Sequence, residues 1–106
     1  MATTPPAMAE ALARLWTKFL PEIEQRLAVL EAAAQTLATG SLTQQQREAA
    51  HAAAHKLAGS LGTFGLHRGT EIARQTEHLL ADENSASAAN LSSWIAELRM
   101  LIDRRK

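Results

Sequence analysis

Apolar residues recur along the chain every three to four positions, which is the spacing of one face of an α-helix. No stretch alternates with a period of two over enough residues to form a strand. Pro21, Gly40, Gly65 and the polar run 82–85 divide the pattern into segments. The sequence therefore predicts an all-α protein, an antiparallel four-helix bundle with a short N-terminal capping helix.

Five helical segments follow from these breaks. Two prolines in residues 1–6 predict a short disordered lead-in, which leaves residues 7–106 as the bundle domain. Pro21 should begin the second helix, because proline is favoured in a first turn and acidic residues directly after it suit the positive helix end. The predicted helices run from about residue 7 to Pro21, 21 to 37, the Thr43 cap to 64, 67 to 80 and 87 to 104.

The third helix has the clearest end signals. Thr43 with Gln46 three residues later has the spacing of a capping box, and Gly65 should end the helix. His55 lies about 200° from Leu57 around this helix, so it faces away from the apolar stripe. The predicted core-facing positions are Ile23, Leu27, Leu30, Ala34, Leu37, Ala50, Ala53 or Ala54, Leu57, Leu61, Phe64, Ile72, Ala73, Thr76, Leu79, Leu80, Leu91, Trp94, Ile95, Leu98, Leu101 and Ile102.

Charge and composition exclude several classes of function. Eleven basic and eleven acidic residues cancel, so no net field favours nucleic acid or an anionic membrane. The absence of cysteine excludes disulfides, zinc–thiolate sites and thiol nucleophiles. No apolar run approaches the ~20 residues that span a bilayer, and the first residues lack the basic start and apolar core of a signal peptide. These features predict a cytoplasmic protein, and none of them argues for an oligomer rather than a monomer.

Two glycines share the face of the third helix that carries His55. Gly59 and Gly62 each cost about 1 kcal/mol relative to alanine in a helix interior. One interpretation is that the missing side chains let a partner's backbone approach the imidazole. The other is that they permit close packing of a neighbouring helix.

A metal site is a second interpretation of the same helix. His51 and His55 are one turn apart, as in many helical zinc sites. Ala52, however, stands where a zinc protease motif has its glutamate. The sequence forces no third ligand, although the fold could bring Glu77 or His78 nearby. We therefore predict no metal ligands and a solvated His51.

The segment from His55 to Leu66, HKLAGSLGTFGL, closely resembles the signature of histidine-containing phosphotransfer (HPt) domains. His55, Leu57, Gly59, Ser60, Phe64 and Gly65 match the pattern of that family. The resemblance implies a four-helix bundle with an exposed histidine midway along one helix. It also implies that His55 is a phosphoacceptor through Nε2.

The same resemblance suggests further site residues. Glu77, 22 positions after His55, stands where a polar residue usually holds Nδ1 of the histidine. Ala58 departs from the family pattern, which often has a lysine there. Lys56 points about 100° away from His55, so Arg74 or Arg68 is expected to supply positive charge instead. The residues expected around the phosphate or in docking are His51, Lys56, Gly59, Ser60, Gly62 and Arg74.

The function implied by the resemblance is that of a phosphorelay intermediate. His55 would accept a phosphoryl group from the phospho-aspartate of a receiver domain and pass it to another receiver, in a system that includes a hybrid histidine kinase. The protein would be a carrier without kinase activity or a cofactor of its own, and magnesium would belong to the partner receiver. Three alternatives are a phosphoacceptor domain of a histidine kinase, a helical adaptor with an incidental histidine, and a histidine-based metal-binding bundle.

Overall fold

A computed structural model describes residues 5–81 and 88–106. These residues form four helices, α1 (Pro6–Thr39), α2 (Gln44–Thr63), α3 (His67–Ala81) and α4 (Ala88–Arg105). Each helix contacts the next, and α4 returns to α1, so the bundle closes on itself. The all-α bundle predicted from the sequence is confirmed. Residues 1–4 of the predicted lead-in, the predicted loop at 82–85 and the predicted helix start at Ser87 lie outside the described residues.

The predicted break at Pro21 is wrong, and with it the separate N-terminal capping helix. Pro21 lies inside α1, which starts at Pro6 after the cap residue Pro5. An internal proline removes one backbone hydrogen bond and costs roughly 3 kcal/mol locally. Pro21 and Thr17, whose carbonyl loses that bond, are both exposed, so water can satisfy the carbonyl. Trp16 and Ile23, on either side of Pro21, are buried in the core and hold α1 together as one continuous helix.

The ends of α2 are as the sequence predicts. The Thr43 hydroxyl accepts from the backbone N–H of Gln46, and the Gln46 side chain accepts from the backbone N–H of Thr43. At the other end Gly65 has a φ of 74°, a left-handed conformation that glycine adopts without strain. These two ends fix the register of α2 and therefore the position of His55.

The core lies along the centre of the bundle and is mainly aliphatic. The predicted stripes of α2, α3 and α4 and the stripe beginning at Ile23 are buried or packed against the core. Trp16 extends the core towards the end of α2, where its ring meets Phe64 edge-on at a centroid distance of 5.2 Å. Helices α1 and α4 are antiparallel, since Trp16 lies beside Arg105 whereas Glu31 lies beside Arg99. Helices α2 and α3 are antiparallel too, because Arg47 contacts Leu80 whereas Ala58 contacts Thr70.

Other apolar residues near the start of α1 stay exposed. Met8, Leu15 and Phe19 have more than a third of their surface accessible, although they recur with the helical spacing of the predicted first helix. Within residues 5–81 and 88–106, no helix combines the length and apolar character needed to cross a membrane.

Candidate functional site

His55 and Glu77 meet across the α2–α3 interface. Nδ1 of His55 lies 2.8 Å from Oε2 of Glu77, and the histidine side chain is 71% exposed against 21% for the glutamate. A carboxylate can only accept, so the proton of the neutral imidazole belongs on Nδ1. Nε2, on the far side of the ring, is then left unprotonated and directed away from Glu77. The arrangement presents a nucleophilic nitrogen to solvent.

His51 contacts the same carboxylate from one turn earlier on α2. Its Nε2 lies 3.8 Å from Oε2 of Glu77, and its side chain is partly buried. Antiparallel pairing of α2 with α3 brings the Glu77 carboxylate between the two imidazoles, a neighbour that the expectation of a merely solvated His51 did not include. Among the described residues, no group of three or more His, Cys, Asp or Glu side chains has an arrangement that could hold a metal ion.

The two glycines near His55 leave the face of α2 open. A Cβ added at Gly59 would meet nothing within 4 Å, and one at Gly62 would make only ordinary contacts with Thr70, the nearest atom lying at 3.6 Å. Close helix packing is instead the role of Gly69, where an added Cβ would come within 2.9 Å of Leu61. Gly59 therefore provides open space beside His55, as the partner-approach interpretation requires.

On the α1 side of His55 lies an open groove of about 490 Å³ between α1 and α2. Arg26 of α1 lines this groove, and its Nη1 donates to the Ser60 hydroxyl at 2.9 Å. The predicted site residues Lys56, Gly59 and Ser60 lie together here. The full lining consists of Leu15, Phe19, Arg26, Lys56, Gly59, Ser60, Thr63 and Phe64.

On the α3 side, Gly62 and Arg74 line a different groove of about 550 Å³. The groove lined by Gly62 and Arg74 therefore lies on the opposite side of α2 from Lys56 and Ser60. Arg68 is not available to the site, because it pairs with Glu97 of α4 at 2.7 Å and holds the pKa of that carboxyl below its usual value.

Ala58, which replaces the usual lysine, is buried. Its carbonyl accepts from the Thr70 hydroxyl at 3.4 Å, so this position belongs to the α2–α3 contact. Lys56 is exposed and has no ion-pair partner among the residues that the structure describes. It remains the cation nearest in sequence to His55.

Sequence reasoning missed three residues of the α1–α2 groove. Leu15 and Phe19 have the helical spacing of core residues, and only the position of α1 against α2 shows that they are exposed beside Gly59. Arg26 lies 34 positions from Ser60, and no local pattern predicts that contact.

Comparisons with known proteins identify the architecture. The model of the Hpt domain family matches residues 14–106. The chain belongs to the Hpt domain family. Protein RcaC of Microchaete diplosiphon is 43% identical over 65 residues, a match that covers 61% of this chain and 10% of that protein. The chain thus spans about a tenth of that curated relative's length, and no solved structure matched.

Membership in this family gives the chain a phosphotransfer role in two-component signalling. Hpt domains are phosphocarriers and not kinases. They interact with receiver domains and histidine kinases. The resemblance found in the segment beginning at His55 is thereby confirmed at the level of the family.

Proposed function

We propose that this Hpt domain is a phosphorelay intermediate that carries a phosphoryl group on Nε2 of His55. The donor is the phospho-aspartate of a receiver domain, and a second receiver is the acceptor. The observation that carries the proposal is the 2.8 Å contact between Nδ1 of a largely exposed His55 and Glu77. It fixes the tautomer in which Nε2 is the nucleophile.

In the transfer step, the lone pair of Nε2 forms a bond to phosphorus while the acyl-phosphate P–O bond breaks. The aspartate leaves as a carboxylate, and the proton on Nδ1 stays in place. The phosphorylated ring then carries a positive charge, which the Glu77 carboxylate stabilises from the other nitrogen. Transfer to a second receiver reverses these bond changes.

The partner supplies the remaining charge neutralisation. Phosphoryl transfer depends mainly on positioning and on cations around the phosphoryl oxygens. We propose that a magnesium ion in the receiver fills that role. The protein is then a carrier without kinase activity of its own.

The receiver docks over Gly59 and the α1–α2 groove. Phe19 and Leu15 offer exposed apolar surface there, and Arg26 and Lys56 place positive charge at its rim. An apolar centre with a charged rim is the usual composition of a protein interface. Gly59 allows the receiver backbone to come close to His55.

The function is tested by incubating the protein with purified receiver domains that have been phosphorylated with radiolabelled acetyl phosphate. Wild type and the matched control His67→Gln, altered at an exposed histidine at the start of α3, should gain acid-labile, base-stable label. His55→Gln should gain none. Equal labelling of all three proteins, or a receiver that binds but leaves every one unlabelled, contradicts the proposal and favours the adaptor.

The docking surface is tested with two matched substitutions. Phe19 and Met100 are 40% and 43% exposed, on α1 and α4 respectively. Phe19→Ser should raise the KM for a phosphorylated receiver about threefold to tenfold, because an exposed aromatic residue is lost from the interface. Met100→Ser should leave KM unchanged, and an equal effect of both substitutions would place the receiver elsewhere.

A further inference from the structure

His51 and His55 both contact one oxygen of Glu77. The distances are 3.8 Å from Nε2 of His51 and 2.8 Å from Nδ1 of His55. In the part of the chain that the structure describes, the ion-pair partners of this carboxylate are the two histidines, and no lysine or arginine lies within ion-pairing distance of it. The Glu77 carboxylate that orients His55 therefore also faces His51, a second side chain that can gain a proton.

We propose that His51 is a positioning residue, whose protonation sets how strongly Glu77 holds Nδ1 of His55. This inference rests on the proposed function of His55. With His51 neutral, the carboxylate is fully available to the Nδ1 proton of His55. With His51 protonated, an ion pair draws the same oxygen towards α2 one turn earlier and weakens its hold on His55.

Other charged groups around the cluster do not share this oxygen. Arg47 donates to the carbonyl of Leu80, and Glu48 accepts from the side chain of Gln44. The charged and titratable groups within about one helical turn of the cluster are Arg47, Glu48, His55 and Lys56 on α2, and Arg74, Glu77 and His78 on α3. Of these, only His55 joins His51 on the Glu77 carboxylate in the described structure.

The consequence is that a second protonation, that of His51, slows the reaction at low pH. Protonation of Nε2 removes the nucleophilic lone pair of His55, so every variant slows on acidification. In wild type, protonation of His51 adds a further loss. A surface ion pair of this kind is expected to change the rate about twofold to fivefold.

The test uses potassium phosphoramidate as the phosphoryl donor, which needs no receiver. Rates for wild type, His51→Ala and His51→Lys are measured from about pH 5.5 to about pH 8. Dividing by the rate of His51→Ala at each pH removes the pH dependence of the donor and leaves the effect of His51 on His55. The wild-type ratio should fall about twofold to fivefold on acidification, while His51→Lys, charged throughout, should be slow at both ends. His67→Ala is the matched control and should follow wild type.

Nitrogen NMR gives a readout that a merely structural role would not change. In wild type the fraction of neutral His55 protonated on Nδ1 should fall as His51 gains its proton, and in His51→Ala it should stay constant. A rate ratio that is flat or rises on acidification overturns the role of His51. Because the donor is a small molecule, that result leaves the transfer from receivers to His55 as a separate question.

Discussion

Two carboxylate clusters on opposite sides of the bundle differ in the charged partners that surround them. On the α1–α4 side, Arg99 binds Glu24 at 2.7 Å and Glu31 at 2.9 Å. Nζ of Lys106 lies 2.6 Å from Oε1 of Glu24. Hydrogen bonds from Lys106 first and Arg99 second hold the pKa of the Glu24 carboxyl below its ordinary value. On the α2–α3 side, Glu77 has only the two imidazoles as ionisable partners among the described residues.

The difference separates a cluster that joins helices from one that reacts. Permanent cations neutralise the carboxylates of Glu24 and Glu31, so the charge of these two residues acts only within the contact between α1 and α4. Glu77 keeps its charge for a ring that becomes positive only when it is phosphorylated. The open face at Gly59 lies beside this second cluster. We infer that the α1–α4 cluster serves stability and the α2–α3 cluster serves transfer.

The largest expected effect is that of Glu77→Ala. Loss of the carboxylate removes the tautomer control and the compensating charge, so phosphotransfer should slow about tenfold to a hundredfold. The free energy of unfolding should change by less than about 0.5 kcal/mol, since a surface pair contributes little. Quench-flow transfer and urea unfolding of the same protein check both values. A transfer rate equal to wild type would remove Glu77 from the mechanism.

Gly59→Ala separates docking from chemistry. The added methyl group has free space in the isolated protein, and alanine favours the helix by up to about 1 kcal/mol. Transfer from a phosphorylated receiver should nevertheless fall about threefold to tenfold, because the partner's backbone meets the methyl group. Labelling by phosphoramidate should be unchanged. Equal slowing with both donors would mean that Gly59 acts on His55 and not on docking.

Arg99→Gln should have the reverse effects of Glu77→Ala, a loss of stability without a loss of phosphotransfer. Glu24 and Glu31 lose their shared partner, and the free energy of unfolding should fall by about 0.5 to 1 kcal/mol, since these side chains are partly exposed. Phosphotransfer at a temperature well below the melting point should match wild type. A transfer defect in this variant would break the division between the two clusters.

The smallest effect is an acid sensitivity of the α1–α4 cluster. The pKa of Glu24 is lowered in the folded protein from 4.5, so the unfolded chain takes up this proton first as the pH falls. The stabilisation is therefore complete above about pH 4.5 and is lost below it, by about a few tenths of a kcal/mol. Melting curves at pH 7 and below pH 4 should show a smaller acid loss for Arg99→Gln than for wild type. An identical loss would assign the acid sensitivity to other carboxylates.

Much of this fold could be predicted because its signals are local. The capping box at Thr43, the stop at Gly65 and the stripe through Leu57 and Leu61 each depend on residues a few positions apart. Pro21 misled the prediction because its local cost is smaller than the packing gained by one continuous α1.

The site was less accessible from the sequence than the fold. The motif identifies His55, and the family spacing places Glu77 opposite it. The contact of His51 with Glu77 and that of Arg26 with Ser60 depend on how helices far apart in sequence are rotated against each other. No periodicity within one helix contains that information.

The most direct test of the account is to locate the phosphorus on the protein. Protein labelled with ¹⁵N is phosphorylated by a receiver, and the coupling between phosphorus and the imidazole nitrogens is recorded by NMR. We expect coupling to Nε2 of His55, with a proton retained on Nδ1 in wild type and more readily lost in Glu77→Ala. Coupling to Nδ1, or to the ring of His51, His67 or His78, would contradict it.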